Sequence, residues 1–254
     1  MLLAISALKG YAIEASDGSI GTVADILFDD QTWKLRWFVV ETGSWLSGRK
    51  VLLHPSAIRR PDYDRSELSV ALTKAQVEAG PPLGEHEPVS QQMESRLYDY
   101  YEWDPYWGSA YFRSGAMASP LGTPPLFETA TQSVARESIP LEEEDPHLRS
   151  SGAVIGYHMH ATDGAIGHVE NFLIDDVGWE VRYLIVDTRN FWPGAHVLMA
   201  PFAVTSIDWS DRQIMLNVDR AKVKSSPPWI PEALMDQAGE KRLHNHYGWM
   251  GYGS

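Results

Sequence analysis

Residues 10–42 read GYAIEASDGSIGTVADILFDDQTWKLRWFVVET, and residues 156–188 read GYHMHATDGAIGHVENFLIDDVGWEVRYLIVDT. A shift of 146 places Gly10-Tyr11 on Gly156-Tyr157, Asp17-Gly18 on Asp163-Gly164, Ile20-Gly21 on Ile166-Gly167, Asp29-Asp30 on Asp175-Asp176, and Trp33 on Trp179. From residue 10 to 83 the two stretches share 25 identities in 74 positions without a gap, where unrelated chains of average composition match at roughly 6%. The chain therefore contains a duplication. The same shift aligns a tail beyond each copy, Glu94, Arg96, Leu97, Tyr101 and Trp103 with Glu240, Arg242, Leu243, Tyr247 and Trp249.

Working outward, the expected organisation is a first copy over 1–83 with an aromatic C-terminal arm over 84–108. A Pro-, Ser-, Thr- and Gly-rich linker over 109–146 ends in Glu142-Glu143-Glu144-Asp145, and a second copy over 147–229 carries its own arm over 230–254. Within a copy the apolar period is that of strands. Gly10 to Ala15, Ile20 to Phe28, Trp33 to Thr42, Lys50 to His54, Ala57 to Tyr63 and Glu67 to Leu72 are short β-branched or aromatic runs between turn residues. Asp17-Gly18 and Asp163-Gly164 predict type I′ hairpins, since both central residues of that turn need positive φ. Thr73 and Asp219 stand where a short helix is capped. Six short strands in so few residues leave exposed edges unless the sheet closes, so a small barrel filled by side chains is expected. Each copy then ends in a short helical arm.

Composition narrows the function. The absence of cysteine excludes disulfides, thiol nucleophiles and iron–sulfur ligation. A net charge of −13 lacks the attraction that phosphate backbones exploit, so nucleic acid is not expected as a partner. No run approaches the roughly 20 apolar residues of a membrane span. Met1 to Leu8 lacks the basic region and cleavage site of a signal peptide and reads as the first strand region. A soluble, cytoplasmic protein without membrane insertion is expected.

These motifs resemble the PRC-barrel family, named from the cytoplasmic domain of the photosynthetic reaction-centre H subunit and shared with the C-terminal domain of a ribosome maturation factor. The resemblance lies in Gly10-Tyr11 through Asp17-Gly18-x-Ile20-Gly21, in Asp29-Asp30, and in Trp33-x-x-Arg36-Trp37-x-Val39-Val40-x-Thr42, with their second-copy equivalents through Gly167, Trp179 and Arg182. It implies two tandem six-stranded PRC-type barrels, a mainly β protein, acting as a non-catalytic adaptor with no cofactor.

Several groups invite chemistry. The acid pairs Asp29-Asp30 and Asp175-Asp176 fit a hard cation or local turn bonding, and the turn reading is preferred because adjacent strand residues face opposite ways. His158 and His160 alternate onto one strand face, with His168 nearby, the pattern of a metal or small-ligand sensor. The first copy has Ala12, Glu14 and Thr22 there, so the fold does not require them. Arg36 and Arg182 sit in apolar strands, where a buried guanidinium needs a carboxylate from Glu41, Asp187 or the acid pairs. No nucleophile elbow or phosphate loop is present, so a hydrolase built on the acids is the weakest reading.

The arms are rich in rings. Tyr101, Trp103, Tyr106, Trp107, Tyr111 and Phe112, with Tyr247 and Trp249, either latch onto a barrel or anchor a protein partner. The expectation is that the two barrels pack through these arms as a pseudo-symmetric pair. The partner's identity is open, and there is room for a homo-oligomer.

Overall fold

The computed structural model describes residues 1–81, 89, 91–103, 146–189, 196–230 and 237–250. In the first copy the elements are β1 (Leu2–Ala4), α1 (Ile5–Leu8), β2 (Ala12–Ala15), β3 (Gly18–Asp29), β4 (Leu35–Glu41), β5 (Lys50–Leu53), β6 (Ile58–Asp62), β7 (Glu67–Val70) and α2 (Lys74–Ala79). The first arm holds α3 (Gln91–Tyr101). The second copy runs β8 (Leu148–Ser150), α4 (Ser151–Val154), β9 (His158–Ala161), β10 (Gly164–Asp175), β11 (Glu180–Asp187), β12 (His196–Met199), β13 (Val204–Asp208), β14 (Gln213–Leu216) and α5 (Arg220–Lys224), and its arm holds α6 (Gln237–Tyr247).

The two sheets repeat one another strand for strand, β5-β4-β3-β2-β7-β6 and β12-β11-β10-β9-β14-β13. The protein is mainly β, with helical arms, as the repeat predicts. Each six-strand path begins and ends on strands adjacent in sequence, β5 and β6 or β12 and β13, joined by a 3-10 turn at Pro55–Ala57 or Pro201–Ala203. Among the described residues no hydrogen-bonded ladder joins those ends, so each sheet is connected there by the chain and does not show the closed barrel expected from the sequence. The proline at the first position of each turn explains the corner, because it lacks an N–H to continue a ladder.

Inward positions of β3 are Ile20, Val23 and Ile26, all essentially without solvent contact. That spacing departs from the strand period of two because β-bulges interrupt the ladder beside Ile13/Glu14 and between Val23 and Asp25. Each bulge inserts one residue and turns the strand's faces over. Trp37, Phe38 and Val40 of β4, and Tyr183, Leu184, Ile185 and Val186 of β11, are buried on both pleat faces, as central strands require.

The hairpin chemistry differs from the type I′ expectation. The two turn residues are Ser16-Asp17, since Ala15 pairs with Gly18, and neither has positive φ; Gly18, the next residue, has φ +132°. Asp17 serves another purpose. Its Oδ1 accepts the backbone N–H of Lys74, the first residue of α2, at 2.8 Å, and Asp163 does the same for Arg220 of α5. Thr73 and Gln76 cap each other reciprocally, and Asp219 Oδ1 accepts the N–H of Lys222 at 2.7 Å. The repeated Asp of each hairpin therefore ties the turn to the helix that ends the copy.

Met1–Glu78 and His147–Ser254 form one compact unit, and Ala79–Pro146 clusters as a second. Among the described residues no helix is long and apolar enough to cross a membrane.

Gly21 and Gly167 are required by close approach: a Cβ at Gly21 would lie 2.0 Å from the carbonyl oxygen of Glu41, and at Gly167 2.0 Å from that of Asp187. Gly21→Ala is expected to lower stability by about 3 kcal/mol, a fall in Tm on the order of 6 to 12 °C in a thermal melt. Gly18→Ala, where the nearest atom is the flexible Lys74 Cδ at 3.7 Å, is expected to cost about 1 to 2 kcal/mol through its φ alone.

Candidate functional site

The most distinctive arrangement in the molecule is a seam between the two copies. Strands β3 and β10 are each 12 residues long, but their hairpin partners β2 and β9 are 4. The far half of each long strand is left with open backbone groups. Those groups are covered by the other copy. β1 of the first copy pairs antiparallel with β10, Leu2 to Ala4 against Asp175 to Leu173, and β8 of the second pairs with β3, Leu148 to Ser150 against Asp29 to Leu27. Each copy thus completes its neighbour's sheet. Exchange satisfies backbone donors and acceptors that a lone copy would expose.

The turn after each long strand adds a second reciprocal contact. Leu35 donates its N–H to the Trp179 carbonyl and Val181 donates to that of Trp33, both at 2.8 Å. Both tryptophans hold positive φ, 59° and 48°. A bulky residue keeps that conformation only where its surroundings over-determine it. Phe28 meets Phe172 at 5.5 Å and Phe38 meets Trp179 edge-on at 5.1 Å, so the seam has an aromatic centre.

The acid pairs divide their labour. Asp29 accepts from the N–H groups of Gln31 and Thr32 and the Thr32 hydroxyl, and Asp175 accepts from Gly178 N–H. The second Asp of each pair receives the exchanged strand. Asp30 binds Arg149 Nε at 2.9 Å and His147 Nδ1 at 3.0 Å, while Asp176 contacts the Met1 amino group and the Tyr63 hydroxyl. Arg149 also lies over the Trp209 ring, 4.0 Å from its centroid. Further along β3, Asp25 accepts from the hydroxyls of Ser150 and Ser151 and from Gly152 N–H, and pairs with Lys9 at 3.0 Å. Burial raises the Asp25 carboxyl, but the hydrogen bonds from Ser150, the Ile26 backbone, Ser151 and Lys9 outweigh it and hold it below the usual range. Burial likewise pushes the Tyr63 hydroxyl up, reinforced by its hydrogen bond to Asp176.

Arg36 and Arg182 find their acids differently. Arg36 is buried and lies 3.5 Å from Asp29, the first of the acid pair, whereas Arg182 pairs with Glu180 at 2.9 Å in a more open setting. Asp187 is taken by Arg189 through charge-assisted bonds of 2.5 to 3.0 Å, and those bonds draw its pKa down to about 2.

His158 is exposed and pairs in the ladder with His168, while His160 lies two residues along on the same outward side, with Met159 buried between them and Ala161 buried after. The strand alternation is as the motif implies. Among the described residues no group of three or more His, Asp or Glu side chains is placed to hold a metal ion.

The second arm closes on its own copy. His244 is buried, its ring 2.7 Å from the Tyr183 hydroxyl, which also lies 3.2 Å from Glu240, and its Nδ1 faces the carbonyl of Met250 at 2.9 Å. A carbonyl only accepts, so Nδ1 carries a proton. Tyr247 is buried, and that burial pushes its hydroxyl up to about 12. Trp249 stacks on it at 4.1 Å and meets Phe202 edge-on. In the first arm Tyr101 and Trp103 make the matching stack at 4.3 Å. Tyr106, Trp107, Tyr111 and Phe112 lie outside the described residues. The two copies are joined by exchanged strands and tryptophan turns; the expected packing through arms is corrected for the second arm, whose contacts are to Tyr183, Phe202 and Lys222 of its own copy.

Sequence reasoning missed the exchange. A signal existed, because the shift of 146 also aligns Met1-Leu2-Leu3-Ala4 with His147-Leu148-Arg149-Ser150, placing a short segment ahead of each copy at the same register. Nothing in the pattern says on which sheet it pairs.

His54 supplies a pH test of the first copy's interior. Burial, with the charge of Arg36 beside it, draws its pKa down from 6.5 to about 4. The unfolded chain binds this proton below pH 6.5 and the folded chain only near pH 4, so stability contributed by neutral His54 is complete above 6.5 and lost as pH falls toward 4. His54→Ala, the residue of the second copy (Ala200), is expected to flatten the stability slope across that window in denaturant titrations.

No curated protein matches the chain. The PRC-barrel domain family model matches residues 2–76, from β1 through α2. With the hairpin, glycine and tryptophan motifs of this segment each in a structural role, residues 2–76 carry the PRC-barrel domain match, and the second sheet repeats its strand order.

Proposed function

We propose that the chain is a non-catalytic protein-interaction module that acts as an adaptor in the cytoplasm. The observation that carries this reading is the filled interior. Ile13, Ile20, Ile26, Trp37, Leu53 and Leu68 in the first copy are wholly buried, as are Met159, Ile166, Phe172, Tyr183, Met199 and Ile214 in the second. A sheet packed in this way has its outer surface to offer a partner. The acidic side chains of the seam are engaged in turns and ion pairs that hold the copies together, which supports a structural role for them over hydrolysis.

The partner surface favoured by the aromatic arms lies where the second arm meets its copy. Phe202 is 47% exposed and Met250 87%, flanking the partly exposed Trp249. Aromatic side chains beside apolar ones at an exposed edge have the composition of interface anchors. Trp103 is the first-arm counterpart of Trp249, and Trp107 follows it in the same arm.

Affinity capture with tagged full-length protein tests this. A specific co-purifying protein is expected, and its recovery should fall at least about tenfold when Trp103, Trp107 and Trp249 are replaced by Ala, the scale of a two-sided hot-spot loss. Wild-type recovery of every partner by that variant would remove the arms from the proposal, and turnover of any substrate in a broad hydrolase panel would overturn the non-catalytic reading.

A further inference from the structure

The two halves of the seam share a backbone but differ in chemistry. Where β8 docks on β3, Asp30 meets the guanidinium of Arg149 and Asp25 meets the hydroxyls of Ser150 and Ser151. Where β1 docks on β10, the residues at the positions of Arg149, Ser150 and Ser151 are Leu3, Ala4 and Ile5, and the position of Asp25 is Asn171. From the docked segment Asn171 meets Ser6, its Nδ2 donating to the Ser6 hydroxyl and its Oδ1 accepting the Ser6 N–H, and Oδ1 also accepts the N–H of Phe172.

Consider β1 placed on β3 instead, as would happen if two first copies paired. Leu3 would face Asp30 and leave a carboxylate that is only 8% exposed without its guanidinium, with the Met1 amino group, which meets Asp176 in the other half, as its one remaining cation from the docked strand. Ala4 and Ile5 would present no hydroxyl in place of those of Ser150 and Ser151, so Asp25 would keep Lys9 and meet Ser6, as Asn171 does, in place of two hydroxyls and a backbone N–H. Removing one partner of a desolvated, hydrogen-bonded charge pair costs more than the pair contributes, because the remaining charge stays buried. Specificity by such under-paired charges is how related interfaces disfavour wrong partners.

We infer that β3 carries an address for β8: Asp25 and Asp30 make the first copy accept the leading strand of the second copy and reject its own. The interaction surface is the far half of β3 with the turn behind it, and its partner is an antiparallel strand bearing a cation, then two hydroxyls, in consecutive positions. The mating of the halves is thereby directional, first copy with second, whether or not the intervening chain is continuous. This inference stands independently of the adaptor reading.

The test uses the full chain with a specific protease site inserted between residues 109 and 146. After cutting, native mass spectrometry is expected to find the two halves as one 1:1 complex near 28.5 kDa, and the same complex after unfolding and refolding, with no pairs of first halves. Asp30→Arg and Arg149→Asp are each expected to speed dissociation of the nicked complex by at least about tenfold, and the combined swap to return it to within about threefold of wild type. Melting of the uncut variants, followed by circular dichroism, separates loss of mating from loss of folding. Halves that part on cutting while each stays folded, first-half pairs as abundant as the 1:1 complex, or a combined swap no better than either single change would each overturn the address.

Discussion

Everything in the arrangement of this protein follows from two strands that are longer than their hairpin partners. β3 and β10 each extend well past β2 and β9, and the backbone groups on that far half must be bonded to something. Water would serve, at the risk of an open, apolar edge that templates aggregation. Here each long strand is covered by the short leading strand of the other copy, so neither sheet is complete from its own segment of chain. Independence is lost, and a single compact unit results. The reciprocal bonds at Trp33 and Trp179 are a consequence, because they lie in the turn that leaves the long strand just where the exchanged strand enters. A tryptophan held at positive φ on both sides is stabilised by the neighbour whose N–H its carbonyl accepts.

A shared scaffold with different side chains explains how a duplicated sheet can be asymmetric. The first copy buries its conserved-position arginine against Asp29, and the second leaves Arg182 nearer solvent beside Glu180. The first copy receives its foreign strand with two carboxylates, the second with an amide and one carboxylate. At the second arm, Tyr183 joins Glu240 to a buried histidine, where the sequence of the first copy has Trp37 and Tyr98 at the corresponding positions. Each difference leaves the backbone ladder intact, because ladder bonds involve no side chain. The exchange therefore tolerates changes in its chemistry as long as its partners change together.

Much of this was legible in the sequence, and particular residues show where legibility ends. The six apolar runs of each copy became strands with ends within about two residues of expectation, since burial of one face imposes its period on the composition. Thr73 and Asp219 cap helices because a cap is a contact over three residues. Asp17 was misread for the same local reason: next to Gly18 it looks like half of a type I′ turn, yet its carboxylate serves a helix 57 residues away. The acid pairs were correctly tied to turns through Asp29 and Asp175, but the role of Asp30 and Asp176 depends on strands that arrive from the other copy.

By itself the sequence determined the duplication, the strand content, the helical arms, the glycines at 21 and 167 and the lack of any thiol chemistry, because each is set by composition, spacing or local sterics. Only the tertiary structure decided which sheet each leading strand joins, which carboxylate each arginine meets and that the second arm folds back on its own copy. Those are choices between partners that no local pattern ranks, and they are settled by the long-range fit of backbone hydrogen bonds and buried charges that no stretch of chain contains alone.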